Sequence, residues 1–272
     1  MRWVLVVAVV AVVALHCARS PTKQTLRFAT FNIEMFPKDA RQIDGAFAEI
    51  AALDAGFVGV QEIGEPELFA REAQRRLGAR WHFVSIDTRP IGETRRGHHI
   101  GVLFDSRRWT MLSSRAHDET RLDRRHKPTL EVRLQSGDVI VRVLVVHLKS
   151  NPEGREVRHR QLAALVQVIR KSREKTIVLG DFNATDQGDR DDIARVASAT
   201  GLVWATESLA CSAFWMREDG CPRSRLDHVL TWSSPVNVHA AGACATEGCD
   251  WQQSCPIYAR HVSDHCPVVV SF

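Results

Sequence analysis

The sequence has no internal repeat and no low-complexity tract, which excludes repeat architectures and long flexible linkers. Its longest apolar run, from Trp3 to Leu15, is shorter than the about 20 residues that a membrane-spanning helix needs. Lysine is scarce, and Tyr258 is the only tyrosine. The 272 residues, of which 44% are hydrophobic and 25% charged, are typical of one large packed domain.

The first 20 residues resemble an export signal. A short positive start, Met1-Arg2, precedes the apolar run, and Arg19 and Pro21 follow it closely, which disfavours the alternative of a buried strand. We expect residues 1–20 to be a signal peptide or N-terminal anchor and residues 25–272 to form a single domain. The protein is then periplasmic or extracellular. Cleavage and lipid anchoring through Cys17 both stay open, because His16 is a poor fit to the small residue that precedes a lipid-modified cysteine.

The other cysteines all lie in the last quarter of the chain. They are Cys211, Cys221, Cys244, Cys249, Cys255 and Cys266. An even number behind an export signal predicts disulfides, and the absence of paired C-x2-C blocks disfavours a zinc site. Six cysteines allow about 15 pairings, which the sequence does not resolve. The local pairs Cys211–Cys221 and Cys244–Cys249 are the first expectation.

The charge balance predicts no basic field over the whole molecule, since the formal net charge is only +4. Residues 89–133 are locally basic, however. This stretch includes Arg95, Arg96, Arg121, Arg124, Arg125 and Lys127. It either faces phosphate groups or is a solvated loop of an arginine-rich protein.

Hydrophobic periodicity predicts a mixture of strands and helices. Strands are expected at residues 26–33, 57–63, 81–86, 100–104, 130–134, 139–148, 176–179, 226–232 and 267–272. Helices are expected at residues 39–53, 66–77, 155–173 and 191–199. Because strands dominate and helices fall between some of them, we predict an α/β (α+β) fold in which two sheets pack face to face with helices outside.

Polar residues follow the ends of these apolar strands, where rigid scaffolds place reactive groups. They are Asn32, Glu34, Gln61, Glu62, His147, Asp181, Asn183, Asp227, Asp264 and His265. Carboxylate and amide oxygens without thiolates favour Mg²⁺, with Mn²⁺ or Ca²⁺ as alternatives. Histidine beside carboxylate supplies a general base and its orienting partner. Together they predict metal-dependent hydrolysis of a phosphoester.

These residues also resemble the endonuclease/exonuclease/phosphatase superfamily, which includes DNase I, exonuclease III and secreted sphingomyelinases. The most specific motifs are Gly180-Asp181-Phe182-Asn183-Ala184, Gln61-Glu62, and Ser263-Asp264-His265 before a terminal strand. The match extends over nearly all of residues 25–272. It implies a four-layer α/β sandwich with two mixed sheets between outer helices.

The resemblance also implies individual roles. Glu62 is the principal metal ligand with Asn32 beside it, Asp264 reaches the metal, and Glu34 matches a second acidic ligand that only some relatives have. Asp181 activates the attacking water and Asn183 holds a phosphate oxygen. His265, oriented by Asp227, contacts the scissile phosphate, and His147 donates to a non-bridging oxygen.

Two departures from the family pattern concern substrate contacts. Relatives often place an arginine shortly before a mid-chain proline, where this sequence has Arg125-His126-Lys127-Pro128. Any of these three basic residues is a candidate replacement. Many relatives have a tyrosine where this chain reads His98-His99-Ile100-Gly101. Specificity is therefore less determined than catalysis.

The leading hypothesis is an exported phosphodiesterase that acts on DNA or RNA as a monomer, with Arg155, Arg158 and Arg160 also following the nucleic-acid backbone. A sphingomyelinase-like enzyme is the first alternative, and membrane contact is expected only if the protein is lipid-anchored or lipid-directed. Its candidate membrane residues are Trp204, Phe214, Trp215 and Trp251. A small-molecule phosphatase and a non-catalytic binding module complete the alternatives.

Overall fold

The structure is a computed structural model and describes residues 25–90, 92 and 97–272. The expected signal peptide, Cys17, Arg95 and Arg96 lie outside the described residues. Within the described ranges, no helix is both long and apolar enough to cross a bilayer.

The described part of the chain contains fourteen strands and six α-helices. The strands are β1 (Arg27–Phe36), β2 (Phe57–Ile63), β3 (Trp81–Asp87), β4 (His99–Asp105), β5 (Thr110–His117), β6 (Thr129–Ser136), β7 (Val139–His147), β8 (Lys175–Asp181), β9 (Val203–Trp204), β10 (Ala213–Phe214), β11 (Arg223–Ser224), β12 (Asp227–Thr231), β13 (Asn237–Ala240) and β14 (Val268–Ser271). The helices are α1 (Ala40–Ala52), α2 (Pro66–Leu77), α3 (Arg155–Arg170), α4 (Gln187–Thr200), α5 (Ala243–Glu247) and α6 (Ile257–His261).

Two six-stranded sheets form the centre of the fold. Their strand orders are β13-β14-β1-β2-β4-β3 and β5-β6-β7-β8-β12-β9. Each sheet contains one parallel pair, β1 with β2 and β7 with β8, and helices α1 and α3 connect the members of these pairs. The prediction of two mixed sheets with helices is confirmed.

Apolar side chains fill the space between the sheets and the space under the helices. Phe28, Val145 and Leu179 belong to the cluster between the sheets. Phe47 of α1 packs against the first sheet and Leu165 of α3 against the second. The central strands are buried on both faces, which explains why they read as nearly continuous apolar runs.

The sheets approach closely at Gly59 of β2. A Cβ atom built there would lie 2.4 Å from Leu179 Cδ1 and 3.3 Å from Val145 Cγ1 of the opposite sheet. Glycine is therefore needed for this spacing, which fixes how the two sheets are aligned.

The disulfides join Cys211 to Cys249, Cys221 to Cys255 and Cys244 to Cys266. The predicted local pairs, Cys211–Cys221 and Cys244–Cys249, are therefore wrong. In the β10–β11 hairpin, Ala213 lies opposite Ser224, so this register does not bring Cys211 and Cys221 together. Their partners come from residues 249–255, which pack across the hairpin and pair Gln252 with Cys221.

Helix α4 and strand β5 also differ from the prediction. Helix α4 begins at Gln187, four residues before its predicted start, because the Asp186 side chain accepts from the Asp189 backbone N–H and caps the helix. Strand β5 was not predicted. It is a mostly exposed edge strand and lacks the apolar alternation of a half-buried one.

Candidate active site

The polar strand ends meet at one edge of the sandwich. Parallel pairing brings the carboxyl ends of β1 and β2 together, and likewise those of β7 and β8. Strand β12 is antiparallel to β8 and begins at the same edge, with Asp227 opposite Asp181 and Asp181 beside His147. Asp264 and His265 precede β14, which is antiparallel to β1 and begins near the end of that strand.

Both sheets contribute to the resulting cluster. The Asn32 Nδ2 amide of the first sheet donates to Asp181 Oδ2 of the second at 3.1 Å and to Glu62 Oε1 at 3.4 Å. His147 Nε2 lies 3.5 Å from Asp181 Oδ2 and 3.7 Å from Glu62 Oε1. Glu34 Oε2 accepts from the Asp264 backbone N–H at 2.9 Å. The structure thus brings nine of the ten strand-end candidates into one connected site, whereas the buried Gln61 side chain is hydrogen-bonded to Thr30.

His265 is held as a cation by its neighbours. Its Nδ1 lies 2.8 Å from Asp227 Oδ2, and Ser212 Oγ donates to the same oxygen at 2.8 Å. Burial alone lowers the pKa of His265, but the charges of Asp227 and Asp181 raise this pKa well above its ordinary value. The buried imidazolium is therefore available to interact with an anion.

Asp181 is fully buried, and its surroundings favour the neutral form of its carboxyl group. Burial raises the pKa of Asp181 to about 7, against the effect of His265 3.9 Å away. The Asn183 backbone N–H donates to Asp181 Oδ1 at 2.8 Å, while Asn183 Nδ2 donates to Leu148 O at 3.2 Å. A positioned carboxyl group whose pKa is close to neutrality is suited to accept a proton.

Lys127 is the basic residue before Pro128 that reaches the site. Its Nζ lies 2.7 Å from His147 Nε2, and burial lowers the pKa of Lys127 to about 8. Burial and the charge of Lys127 hold the pKa of His147 well below its ordinary value. The neutral imidazole therefore accepts at Nε2 from the ammonium group. Of the three candidates Arg125, His126 and Lys127, Lys127 is the one whose side chain contacts His147.

His98 and His99, which stand where many relatives have a tyrosine, differ in their distance from the site. His98 Nδ1 lies 3.9 Å from Glu62 Oε2. His99 Nδ1 is 3.1 Å from Ser85 Oγ, on the neighbouring strand. His98 is therefore the one that approaches the site.

Several site residues occupy the left-handed backbone region, which is unfavourable for side chains other than glycine. The φ angles are 40° at Glu34, 63° at Glu62 and 50° at Asn183. Buried Gln42 stabilises the first of these turns, since its Nε2 donates to the carbonyl oxygens of Glu34 and Ile33. Backbone strain of this kind concentrates at functional sites.

The donor set fits a hard divalent cation. Glu62 presents a partly exposed carboxylate in the cleft, and Asp264 Oδ1 is buried without a hydrogen-bond partner. Burial, with the negative charges of Glu34 and Glu62, raises the pKa of Asp264 to about 6. A cation beside these oxygens would stabilise their ionised forms. The Asn32 amide oxygen accepts from the Glu34 backbone N–H at 3.0 Å, so Asn32 would have to reorient to offer it.

A second group of possible ligands, Asp181, Asp227 and His265, lies within 4.8 Å of one another. Here the Nδ1 of His265 is already engaged by Asp227, and the positive charge among these carboxylates comes from the imidazolium itself. Glu62 and Asp264 therefore have the oxygens that are freer to hold a cation.

Two of the arginines predicted to face phosphates are structural. Arg158 is buried, with its Nη2 2.7 Å from Asp189 Oδ2, and also donates to the carbonyl oxygens of Lys149 and Asn151. Arg121 is buried and donates to the carbonyl oxygen of Arg89. The prediction of nucleic-acid contact is wrong for Arg158, which instead ties together the loops that follow β7 and β8.

A cleft of about 1000 Å³ extends from the cluster towards the disulfide-linked region. Its lining includes residues that the sequence did not single out, or assigned differently: Arg190, Phe214, Trp215, Arg217, Arg223 and Arg225. Trp215 is half exposed, and the Arg217 guanidinium lies over its ring at 5.4 Å. Arginine and aromatic surfaces suit phosphate groups and planar ligands.

Comparison with known proteins gives the same architecture. The sequence model of the Endonuclease/Exonuclease/phosphatase family matches residues 29–265. No curated protein matches the chain. D. rerio TDP2 complexed with a single-strand DNA product is 16% identical, with 91% of this chain and 98% of that chain covered and a TM-score of 0.69.

Two further structures are similar. The human Nocturnin catalytic domain with a bound sulfate anion is 17% identical, with 91% and 93% of the two chains covered and a TM-score of 0.67. An endonuclease/exonuclease/phosphatase from Bacteroides vulgatus is 14% identical, with 92% and 98% covered and a TM-score of 0.65. At these identities the likeness establishes the fold.

Proposed function

The chain belongs to the endonuclease/exonuclease/phosphatase family, and from this premise we propose that it is a divalent-metal-dependent phosphodiesterase that hydrolyses nucleic acid. The observation that carries the proposal is one pair of buried side chains. Asp181, whose pKa is raised to about 7, lies 3.9 Å from His265, which Asp227 keeps charged. A proton acceptor and a fixed cation side by side are what hydrolysis of a phosphate diester requires.

The cation would be held by Glu62 and Asp264, with Asn32 beside them, and Mg²⁺ suits these oxygen donors best, with Mn²⁺ or Ca²⁺ as alternatives. When bound, it would supply positive charge against the negative charge that develops on the phosphate group. Glu34 contributes less directly, because its carboxylate is paired with Lys38.

Asp181 accepts a proton from the attacking water in this mechanism. The backbone N–H of Asn183 and the amide of Asn32 fix its two oxygens, so the proton acceptor is oriented before substrate binds. The Asn183 side chain lines the cleft beside it, and its proposed role is to bind a phosphate oxygen.

His265 and Lys127 stabilise negative charge on the phosphate. His265 is a buried cation held by Asp227, and Lys127 is a partly exposed cation near the carboxylates of Glu62 and Asp181. Because they are held in place before the reaction, they need no reorganisation when charge develops. His147 positions the Lys127 ammonium group by accepting from it.

Nucleic acid is the proposed substrate because the cleft beyond the carboxylates is rich in arginine and aromatic groups. D. rerio TDP2, which has the same fold, has been seen with a single-strand DNA product. A lipid-directed hydrolase is the second candidate, and the exposure of Trp215 and Trp251, at 53% and 62%, favours it. Phe214, also predicted to contact lipid, is buried instead.

We also propose that the protein is exported and acts as a monomer. The three disulfides are compatible with an oxidising compartment outside the cytoplasm. The signal-like sequence of residues 1–20 supports the same location.

The mechanism is tested by replacing Asp181 and His265. Asp181→Asn and His265→Ala are each expected to lower kcat on a phosphodiester by roughly 10²–10⁴-fold, since one loses the proton acceptor and the other the fixed cation. Circular dichroism should show an intact fold, because Asp181→Asn removes a costly buried carboxyl group. Asp123→Asn, at an exposed acidic residue, is the control and should keep full activity. Near-normal turnover by either active-site variant would refute the assigned roles.

A further inference from the structure

Positively charged groups lie on both sides of the catalytic cluster. In the second sheet the strand order is β6-β7-β8-β12, and Lys127, His147, Asp181 and Asp227 lie in this order along its edge. Further basic residues extend this row at both ends. Those on one side lie before β6 and just after β7, and those on the other side lie before β12 and in α4.

The first group, which we call the β6-side group, consists of Arg125, His126 and Lys149. These residues line a pocket of about 500 Å³, and the described residues of its lining include no carboxylate. Lys127 and Ser150 line both this pocket and the catalytic cleft. Within the described residues, neither Arg125 nor Lys149 has a carboxylate within ion-pair distance. Burial, with the positive charges of Lys149, Arg160 and Arg125, lowers the pKa of His126, and the opposing charge of Asp123 does not reverse this effect.

The second group, the β12-side group, consists of Arg190 of α4 and Arg225 before β12. Both line the catalytic cleft. Arg225 Nη1 donates to the carbonyl oxygen of Leu209, and Arg190 Nε donates to Gln187 Oε1. Within the described residues, neither arginine forms an ion pair with a carboxylate, although the charge of Glu207 acts on Arg225 from a greater distance. Burial and the charge of Arg190 hold the pKa of Arg225 below its ordinary value. Two guanidinium groups that repel each other in a cleft are suited to share an anion.

The spacing of the groups restricts the ligand. Strands β6 and β12 are separated by three strand-to-strand steps, or roughly 14 Å. A single phosphate group therefore cannot contact both groups, whereas a chain of nucleotides can. Asp181 of β8 lies between the two groups in the strand order, and Glu62 and Asp264 line the same cleft.

We propose that the β6-side and β12-side groups are phosphate-binding subsites on opposite sides of the scissile phosphate, and that the substrate is a polynucleotide strand cut at internal positions. This inference rests on the proposed function. Phosphates on both sides of the cut distinguish such a substrate from a terminal phosphate, a small phosphate ester or a single lipid headgroup.

The test uses a single-stranded DNA oligonucleotide with one reference phosphodiester. Its linkages on the 5′ side, on the 3′ side or on neither side of that bond are replaced by uncharged methylphosphonates. Neutral linkages on either side should lower kcat/KM at the reference bond by at least about tenfold, the change that corresponds to one lost hydrogen bond to a charged group. Closed circular single-stranded DNA should also be cut.

Variants then assign each subsite to a side. In the Arg125→Ala variant, neutral linkages on one side of the reference bond should no longer lower kcat/KM. In the Arg190→Ala variant, neutral linkages on the other side should no longer lower it. Arg173→Ala removes an exposed arginine before β8, at the opposite end of that strand from Asp181, and should behave as the wild type. Thermal unfolding of each variant verifies that the fold is retained.

Bis(p-nitrophenyl) phosphate, which has no flanking phosphates, distinguishes failure of the subsite proposal from failure of the proposed function. Suppose that the enzyme hydrolyses this diester but neutral linkages do not change kcat/KM at the reference bond. The subsite proposal then fails and the proposed function stands. The same conclusion follows if neutral linkages lower kcat/KM on one side only and circular DNA stays intact. Cleavage of sphingomyelin vesicles without cleavage of the oligonucleotide would also overturn the subsites. Hydrolysis of no phosphodiester at all would overturn the proposed function with them.

Discussion

The ionisation states of Asp181 and His265 depend on burial and on a few neighbouring side chains. Asp181 and His265 lie 3.9 Å apart, yet burial raises the pKa of the carboxyl group while Asp227 helps to keep the imidazole protonated. The two groups therefore have separate roles at neutral pH. Ser212 supports this arrangement by donating to the same Asp227 oxygen that binds His265.

The ionisation state of Glu131 in β6 is also set by its neighbours, although Glu131 has no part in the proposed mechanism. Its carboxylate is bound by His117, Arg115 and Arg142, and these hydrogen bonds outweigh the effect of burial and lower the pKa of Glu131 to about 2. Arg142 also donates to the carbonyl oxygens of Val168 and Ile169 in α3. The network joins β5, β6, β7 and α3.

The predicted effect of Glu131→Gln is a loss of stability that depends on pH. A lowered pKa in the folded state means that Glu131 stabilises the fold above its ordinary pKa, and that this stabilisation is lost as pH falls towards 2. The variant should lose on the order of 2 kcal/mol of unfolding free energy at pH 7 and almost nothing near pH 2. Urea unfolding at both pH values measures the difference, with exposed Glu153→Gln as the control. A constant difference at both pH values would contradict the account.

The residues of the proposed reaction centre could be named from the sequence because each belongs to a short motif at a strand end. It did not select Lys127 over Arg125 and His126, because that choice depends on how the chain turns before β6. Arg190, Arg223 and Arg225 were not singled out. Their place in the cleft depends on loops and on the disulfide-linked hairpin, and those contacts are remote in sequence.

Among the elements, the disulfide-linked C-terminal segment has the most direct connection to catalysis. Cys266, joined to Cys244 of α5, directly follows His265, and its backbone N–H donates to Ser212 O at 2.7 Å. This bridge therefore helps to fix the end of the segment that presents His265 to Asp227. The Cys221–Cys255 bridge instead holds the distal part of the β10–β11 hairpin.

Removing these two bridges is expected to have different consequences. The pair Cys244→Ala and Cys266→Ala should lower the unfolding free energy by about 2–5 kcal/mol and also lower kcat on a small phosphodiester. The pair Cys221→Ala and Cys255→Ala should destabilise the chain similarly but leave that kcat near wild type. Chemical unfolding and steady-state kinetics measure both quantities. Equal effects of the two pairs on kcat would show that the bridge beside His265 has no special influence.

Element boundaries were predictable where the apolar period was strong. Helix α2 matches its predicted range, as does strand β2. The short strands β9, β10, β11 and β13 were not predicted, because two to four residues contain too little periodicity. Their positions are set by pairing with distant strands and by the disulfides.

At the scale of the whole molecule, the site exists only because two sheets are aligned. Asn32 and Glu62 come from one sheet, and His147 and Asp181 from the other. The sequence predicted both sheets but not their spacing, which depends on Gly59 against Leu179. Function is therefore coupled to packing in the middle of the sandwich.

Substitution of Gly59 tests this coupling. Gly59→Val should lower the unfolding free energy by about 1–3 kcal/mol through overpacking, and should lower kcat by separating the two halves of the site. Leu134→Ala, near the end of β6 remote from the site, should destabilise the chain by about 2–5 kcal/mol through a cavity but leave kcat unchanged below its unfolding temperature. If kcat followed stability equally in both variants, the alignment argument would be wrong.

The central claim, metal-dependent hydrolysis of nucleic acid at the Asp181–His265 site, is tested most directly with a panel of substrates. Purified protein is incubated with plasmid DNA, RNA and sphingomyelin, first with Mg²⁺ and then with EDTA, beside the Asp181→Asn variant. We predict that the wild type cleaves nucleic acid with Mg²⁺ and not with EDTA, and that the variant is almost inactive. Cleavage of sphingomyelin alone, cleavage that persists in EDTA, or no cleavage of nucleic acid by the wild type would contradict this account.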